Sequence, residues 1–109
     1  MNNLRNKVQL IGHLGKDVEI KEFKNGSSIA RVSIATKEIY QNAKGEKVVD
    51  VQWHSLVGWG KLAEMMQVFF KKGKEVAVQG RLTHRTFEDK EGKARFISEI
   101  IVSDFMLLN

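Results

Sequence analysis

Gly58-Trp59-Gly60-Lys61-Leu62-Ala63-Glu64-Met65-Met66-Gln67-Val68-Phe69-Phe70-Lys71-Lys72-Gly73 is the stretch on which the reading of the fold turns, because it carries the only convincing helical period in the chain. Leu62, Met65, Met66 and Phe69 recur at i, i+3, i+4 and i+7, which draws one apolar stripe along a helix over residues 61–70. Lys71 and Lys72 fall in its last turn, where cations suit the helix dipole, and Gly73 is a good terminator. Gly58 and Gly60 break whatever precedes the helix.

Working upstream, residues 47–57 are rich in valine and carry Trp53 and His54, which reads as a strand. Residues 39–46 are polar and contain Lys44-Gly45-Glu46, so an exposed loop is expected there. Residues 28–37 alternate, with Ala30, Val32 and Ile34 inward and Arg31, Ser33 and Lys37 outward. Asn25-Gly26 favours a tight hairpin between that strand and a short one over 18–23. Residues 5–14 alternate as well: Val8, Leu10 and Leu14 take one face, Arg5, Lys7, Gln9 and His13 the other. Downstream, 75–88 and 93–107 form a last long hairpin around Asp89-Lys90-Glu91-Gly92. If 18–23 continues a bent first strand, five strands remain and the helix sits between the third and fourth. That order predicts an all-β fold, a five-stranded OB-fold barrel with one short α-helix, as a single domain over 1–109. An SH3-like barrel is the alternative, though a ten-residue helix at that point would be unusual in one.

Composition bounds the function. Eighteen Lys and Arg against thirteen Asp and Glu give a formal net charge of +5, a bias towards polyanions such as nucleic acid or an anionic surface. Cysteine and proline are absent, which excludes disulfides and thiolate metal sites. No apolar run approaches the roughly 18 residues of a membrane span, and the first residues lack the apolar core of a signal peptide. A cytoplasmic location is therefore expected. His13, His54 and His84 have no metal-ligand spacing, no phosphate-binding glycine loop occurs, and the acidic residues cluster in turns or beside lysines. Neither catalysis nor a metal or cofactor is expected.

The basic and aromatic residues say more. Period two over 75–88 puts Arg81, Arg85 and Phe87 on one face, with Val76, Val78 and Leu82 on the other. Two guanidiniums neutralise phosphates, and a ring offers its face to an unpaired base; equally, Phe87 would cap an edge of the core. Tyr40, in a polar and basic setting, is hard to explain as core. Trp59, between two glycines at a corner, is expected to project. Trp53 shares a face with Val49, Val51 and Val57, so core burial is a real alternative for it. Duplex readout is less natural, since the only helix is short and not basic.

Several segments in order resemble the bacterial single-stranded DNA-binding protein family: Asn6-Lys7-Val8-Gln9-Leu10-Ile11-Gly12-His13-Leu14-Gly15-Lys16-Asp17, Ile34-Ala35-Thr36, Trp53-His54, Gly60-Lys61-Leu62-Ala63-Glu64, Lys72-Gly73, and Gly80-Arg81-Leu82 running on to Arg85. The resemblance covers nearly the whole chain. It implies an OB fold that assembles, usually as a homotetramer, and binds single-stranded DNA with little sequence preference in replication, recombination or repair. It places base-stacking aromatics at Tyr40, Trp53, Trp59 and Phe87, and phosphate-contacting cations at Lys61, Lys72 and Arg85. His54 matches a family histidine associated with subunit assembly. The family often has arginines where Ser55 and Thr83 stand; Arg81 and Arg31, outward by period, are candidates to replace them, and Lys7 is a further candidate nucleic-acid contact.

Family members usually continue into a flexible linker and an acidic tip that recruits other enzymes. The sequence given stops at Leu107-Leu108-Asn109, so contacts with replication and repair enzymes are not expected by that route. Self-association is expected through the first strand, where Ile11 is exposed, as a tetramer or a dimer. Two rival readings are a primosome-type adaptor, short and dimeric, and a cold-shock-like RNA chaperone with clustered aromatics.

Overall fold

The computed structural model describes residues 4–108; Met1, Asn2, Asn3 and Asn109, at the ends of the expected domain, lie outside the described residues. Six strands and one helix follow in the order β1 (Val8–Leu14), β2 (Glu19–Glu22), β3 (Ser28–Gln41), β4 (Lys47–Trp59), α1 (Gly60–Phe69), β5 (Glu75–Glu88) and β6 (Ala94–Leu107). β1 pairs with β3 at His13 and Leu14, and β2 pairs with β3 from Glu19 to Glu22, so both run antiparallel along the same edge of β3. They are one strand bent at residues 15–18, as the strand count requires. β3 pairs with β4, β4 with β6 in parallel, β6 with β5, and β5 with β1. The ring closes, and it is the five-stranded OB barrel, with α1 between its third and fourth strands.

Alternation along the strands explains the core. Ala30, Val32 and Ile34 of β3, Leu56 of β4, Val76 and Val78 of β5, and Ile100 and Val102 of β6 point into the barrel and are buried with Leu14 of β1. The helix contributes Ala63, Met66 and Phe70, whose ring meets Phe105 edge-on at 4.7 Å between centroids. This is a different stripe from the one expected. Met65 and Phe69 are exposed, and the buried face is turned by one residue towards Ala63, Met66 and Phe70. Met66, common to both stripes, fits its sulfur into the space that Gly58 leaves, since a Cβ there would collide with it, and the Phe70–Phe105 contact accompanies the turn of the face. Truncating Met66 or Phe70 removes a fully buried side chain, a change worth about 2–5 kcal/mol. The helix ends at Phe69, so Lys71 and Lys72 lie in the turn beyond it.

Two hairpins overrun the barrel. β3 extends to Gln41, further than the expected strand end at residue 37, because Ile39 and Tyr40 find partners in Val49 and Val48 of β4. The true turn is short, with the Asn42 side chain accepting hydrogen bonds from the backbone N–H groups of Lys44 and Glu46. The β5–β6 hairpin is pinned at its tip in the same way by Asp89, which accepts from the N–H groups of Glu91 and Lys93.

Candidate nucleic-acid interface

Strand register gathers the outward side chains into rows across β3, β4, β6 and β5. One row reads Arg31, Val57, Ile101, Arg81, and the next Ser33, Ser55, Glu99, Thr83. An arginine therefore stands at each end of the first row, and Arg85 and Phe87 follow Thr83 along β5 on the same face. Between β3, β4 and β6 lies a groove of about 170 Å³, whose walls include Lys16, Arg31, Ser55, Ile97 and Glu99.

Glu99 is the centre of this face. It is only 5% exposed, yet ionised, because Arg85 donates from Nε to Oε1 at 2.8 Å and Arg31 donates to Oε2 from the opposite strand. The Arg85 hydrogen bond, helped by the Arg31 charge, holds the Glu99 carboxyl below the usual glutamate value against the opposing effect of burial. Arg85 is correspondingly pushed above the ordinary arginine value by its hydrogen bond to Glu99. Each guanidinium carries five N–H donors, and both arginines remain more than 40% exposed. The carboxylate thus fixes two cations while leaving donors free to meet a phosphate.

The aromatics divide. Phe87 is half exposed on this face, with the Arg85 guanidinium 5.4 Å from its ring centroid, so ring and cation are held together. Trp53 is 61% exposed; core burial does not occur, because the barrel uses the His54, Leu56, Gly58 side of β4. Its indole lies over Gly15 so closely that a Cβ on that residue would fall 2.5 Å from the ring. Trp59 projects on the same side as Trp53 and stacks with Phe23. Tyr40 is exposed as expected, but it lies in β3 opposite Val48, and alternation puts it on the other side of the β3–β4 ribbon from Trp53.

The remaining expected residues scatter around these. Lys61 is exposed at the start of α1, two residues from Trp59, and Lys72 sits in the α1–β5 turn, its backbone N–H donating to Asp17 at 2.8 Å. Lys7 is exposed just before β1. His54 is half-buried and bonds Thr36 within its own chain at 3.0 Å. Ile11 is exposed in an apolar row with Ala77 of β5 and Met106 of β6. Three residues escaped sequence reasoning: Glu99, Phe23 and Lys21. A single acid between Ile97 and Ile101 was the available signal for the first, and the shared parity of Lys21 and Phe23 for the others.

A closed OB barrel with arginines and exposed rings on one face defines the class, an OB-fold protein with a basic, aromatic outer surface. The family described as single-strand binding protein family matches residues 5–108, and the chain belongs to it. It is 39% identical over 104 residues, 94% of its length, to single-stranded DNA-binding protein 1 of Chlorobaculum tepidum, and spans 64% of that relative's own length. Among solved structures it resembles the Plasmodium falciparum SSB in complex with ssDNA, with a TM-score of 0.87 and 30% identity, covering all of both chains. A deletion mutant of the single-stranded DNA-binding protein from Thermus aquaticus shares the fold, with a TM-score of 0.83 at 24% identity over 95% of this chain and half of that one.

Proposed function

We propose that this chain binds and protects single-stranded DNA with little sequence preference, in replication, recombination or repair, as a binding protein and not an enzyme. The observation that carries the reading is the row structure of the outer face: Arg31, Arg81 and Arg85 flank the buried Glu99, with Trp53, Trp59 and Phe87 as stacking platforms on the same side. Bases stack on the rings, and Arg31, Arg81 and Arg85 with Lys61, Lys72 and Lys7 track the phosphates. In single-strand-binding domains of this kind each stacked base is worth ~1–3 kcal/mol. Each neutralised phosphate adds about −0.7 to the slope of log affinity against log salt. The platforms read ring faces that every base possesses, so the selectivity is for unpaired strands. Tyr40 serves a strand that crosses to the far side of the β3–β4 ribbon.

Assembly through β1 is part of the proposal. One edge of β1 is taken by β5, while on the other β3 pairs only at His13 and Leu14, so residues 8–11 have no partner strand there among the described residues. That edge, with the exposed Ile11 and Met106, favours pairing with a second copy, and His54 belongs to the same assembly if it acts between subunits. The expected setting is the bacterial cytoplasm, at the nucleoid. Titrating a labelled oligo-dT against the protein, with duplex DNA and RNA of equal length as competitors, tests the function: single-stranded DNA competes best, and preference for duplex or RNA contradicts the reading. Light scattering near 50 kDa, about four copies of a 12.4-kDa chain, supports the tetramer; a monomer at micromolar concentration contradicts it.

A further inference from the structure

Beyond the three platforms on the outer face, a fourth aromatic surface lies at the barrel's β2 edge. Lys21 of β2 pairs opposite Ile29 of β3, and Ile29 pairs opposite Trp59 of β4, so the three stand in one row. Phe23, two residues on from Lys21, brings its ring to 6.3 Å from the Trp59 ring between centroids, with only 16° between the planes. Lys21 Nζ lies 5.5 Å from the Phe23 centroid. The buried Ile29 forms the floor, Arg31 one wall, and the cleft measures about 330 Å³, the lower end of small-ligand clefts (roughly 300 Å³), which suits one base.

Two features of this cleft are unlike an ordinary edge of a core. Both rings stay partly exposed, Phe23 at 38% and Trp59 at 49%, although each is large and apolar and the barrel interior is only one strand away. The charge around them is also cationic. Glu19 also lines the cleft but is occupied by Lys16 at 2.9 Å, and Glu22 alternates to the other side of β2. Lys21 faces the cleft together with Arg31, which donates to Glu99 and keeps further N–H groups exposed. An apolar plane rimmed by cations complements a base and its phosphate.

We infer that Phe23 and Lys21 form, with Trp59, a nucleotide subsite in which one unpaired base stacks on the Phe23–Trp59 pair and Lys21 holds the adjoining phosphate. The inference rests on the single-stranded DNA reading above. It extends the path of the strand from the outer face of β4 across β3 to β2.

The test is anisotropy titration of a labelled oligo-dT with wild type, Phe23→Leu, Phe23→Tyr and Lys21→Gln, each checked for an unchanged thermal transition. Phe23→Leu keeps apolar bulk and loses the ring, and is expected to weaken binding about tenfold; Phe23→Tyr keeps the ring and retains wild-type affinity. Lys21→Gln lowers the salt slope by about 0.7. Repeating Phe23→Leu in a Trp59→Ala background separates contact from support. A further loss means that Phe23 touches the base; no further loss means that it only buttresses Trp59, and overturns the subsite. Equal affinity of Phe23→Leu and wild type overturns it as well. If wild type itself fails to bind oligo-dT, the function is wrong; if wild type binds and Phe87→Ala weakens it while Phe23→Leu does not, only the subsite is wrong.

Discussion

The β5–β6 and β3–β4 hairpins both overrun the barrel, with strands of 13 or 14 residues, and the overrunning parts differ in the cations they carry, paired arginines on the first and unpaired lysines on the second. On β5–β6, Arg85 is tied to the buried Glu99 and Arg95 Nε to Asp89 at 2.7 Å, while Arg81, Lys90 and Lys93 enter no ion pair among the described residues; on β3, Arg31 shares Glu99 with Arg85. On β3–β4, Lys37, Lys44 and Lys47 are exposed and enter no ion pair among the described residues. Ordering a long side chain on binding costs about 0.5–1.5 kcal/mol. A guanidinium already fixed by a carboxylate has met most of that cost in folding, whereas a free lysine meets it on the ligand. The comparison therefore assigns orientation and affinity per residue to the tied arginines, Arg31, Arg85 and Arg95, and reach with adaptable charge to the lysines of β3–β4.

The most direct way to break this difference is Glu99→Ala. It frees Arg31 and Arg85 and removes a bridge between β3, β5 and β6, and is expected to lower stability by about 1–3 kcal/mol in urea unfolding, less than for a fully buried pair because both guanidiniums reach water. Affinity for oligo-dT should fall with it, although the net positive charge rises; tighter binding would show that Glu99 merely restrains the arginines. Phe87→Ala comes next, at ~1–3 kcal/mol of binding energy with the unfolding transition unchanged. Tyr40→Ala sharpens the comparison from the other hairpin. With its ring on the far side of the ribbon, the same measurement is expected to give less than about 1 kcal/mol.

Acid provides a smaller test of the same bridge. Glu99 titrates below the ordinary glutamate value of 4.5 in the folded chain. Its stabilising effect is therefore complete above that value and is lost as pH falls through the lowered one. The stability gap between wild type and Glu99→Gln should be constant near neutrality and close below about pH 4. A gap that persists under strong acid would mean that packing, and not the ionised carboxylate, accounts for it. Least of all, Lys44→Gln should change the salt slope by at most about 0.7, with little loss at low salt.

Much of this architecture was legible in the chain. The alternation in β5 is clear from Glu75 to Gly80, where every second residue is buried, and its observed bounds, Glu75–Glu88, agree with the expected ones. The Asn25-Gly26 turn and the bent first strand follow from local chemistry. Where reading failed, the deciding contact was distant. Leu62, Met65, Met66, Phe69 and Ala63, Met66, Phe70 are both helical stripes, and what distinguishes the second is the packing of Phe70 on Phe105, far along the chain. Tyr40 reads as loop until Val48 pairs with it. Glu99 escapes a reading from sequence, because nothing in its own strand reveals arginines arriving from β3 and β5. Trp53 was undecided for a similar reason: its valine neighbours suit either face, and only barrel closure shows which side of β4 turns inward.

The central claim is that bases stack on the exposed rings of the outer face, and tryptophan emission reports it most directly. Trp53 and Trp59 are the only tryptophans in the chain, and both are exposed on that face. Titration with oligo-dT should quench their fluorescence saturably, with a weaker apparent affinity in Phe87→Ala. Emission that stays unchanged at saturating oligo-dT, with binding verified by anisotropy, would contradict stacking and leave the arginines as a purely electrostatic surface.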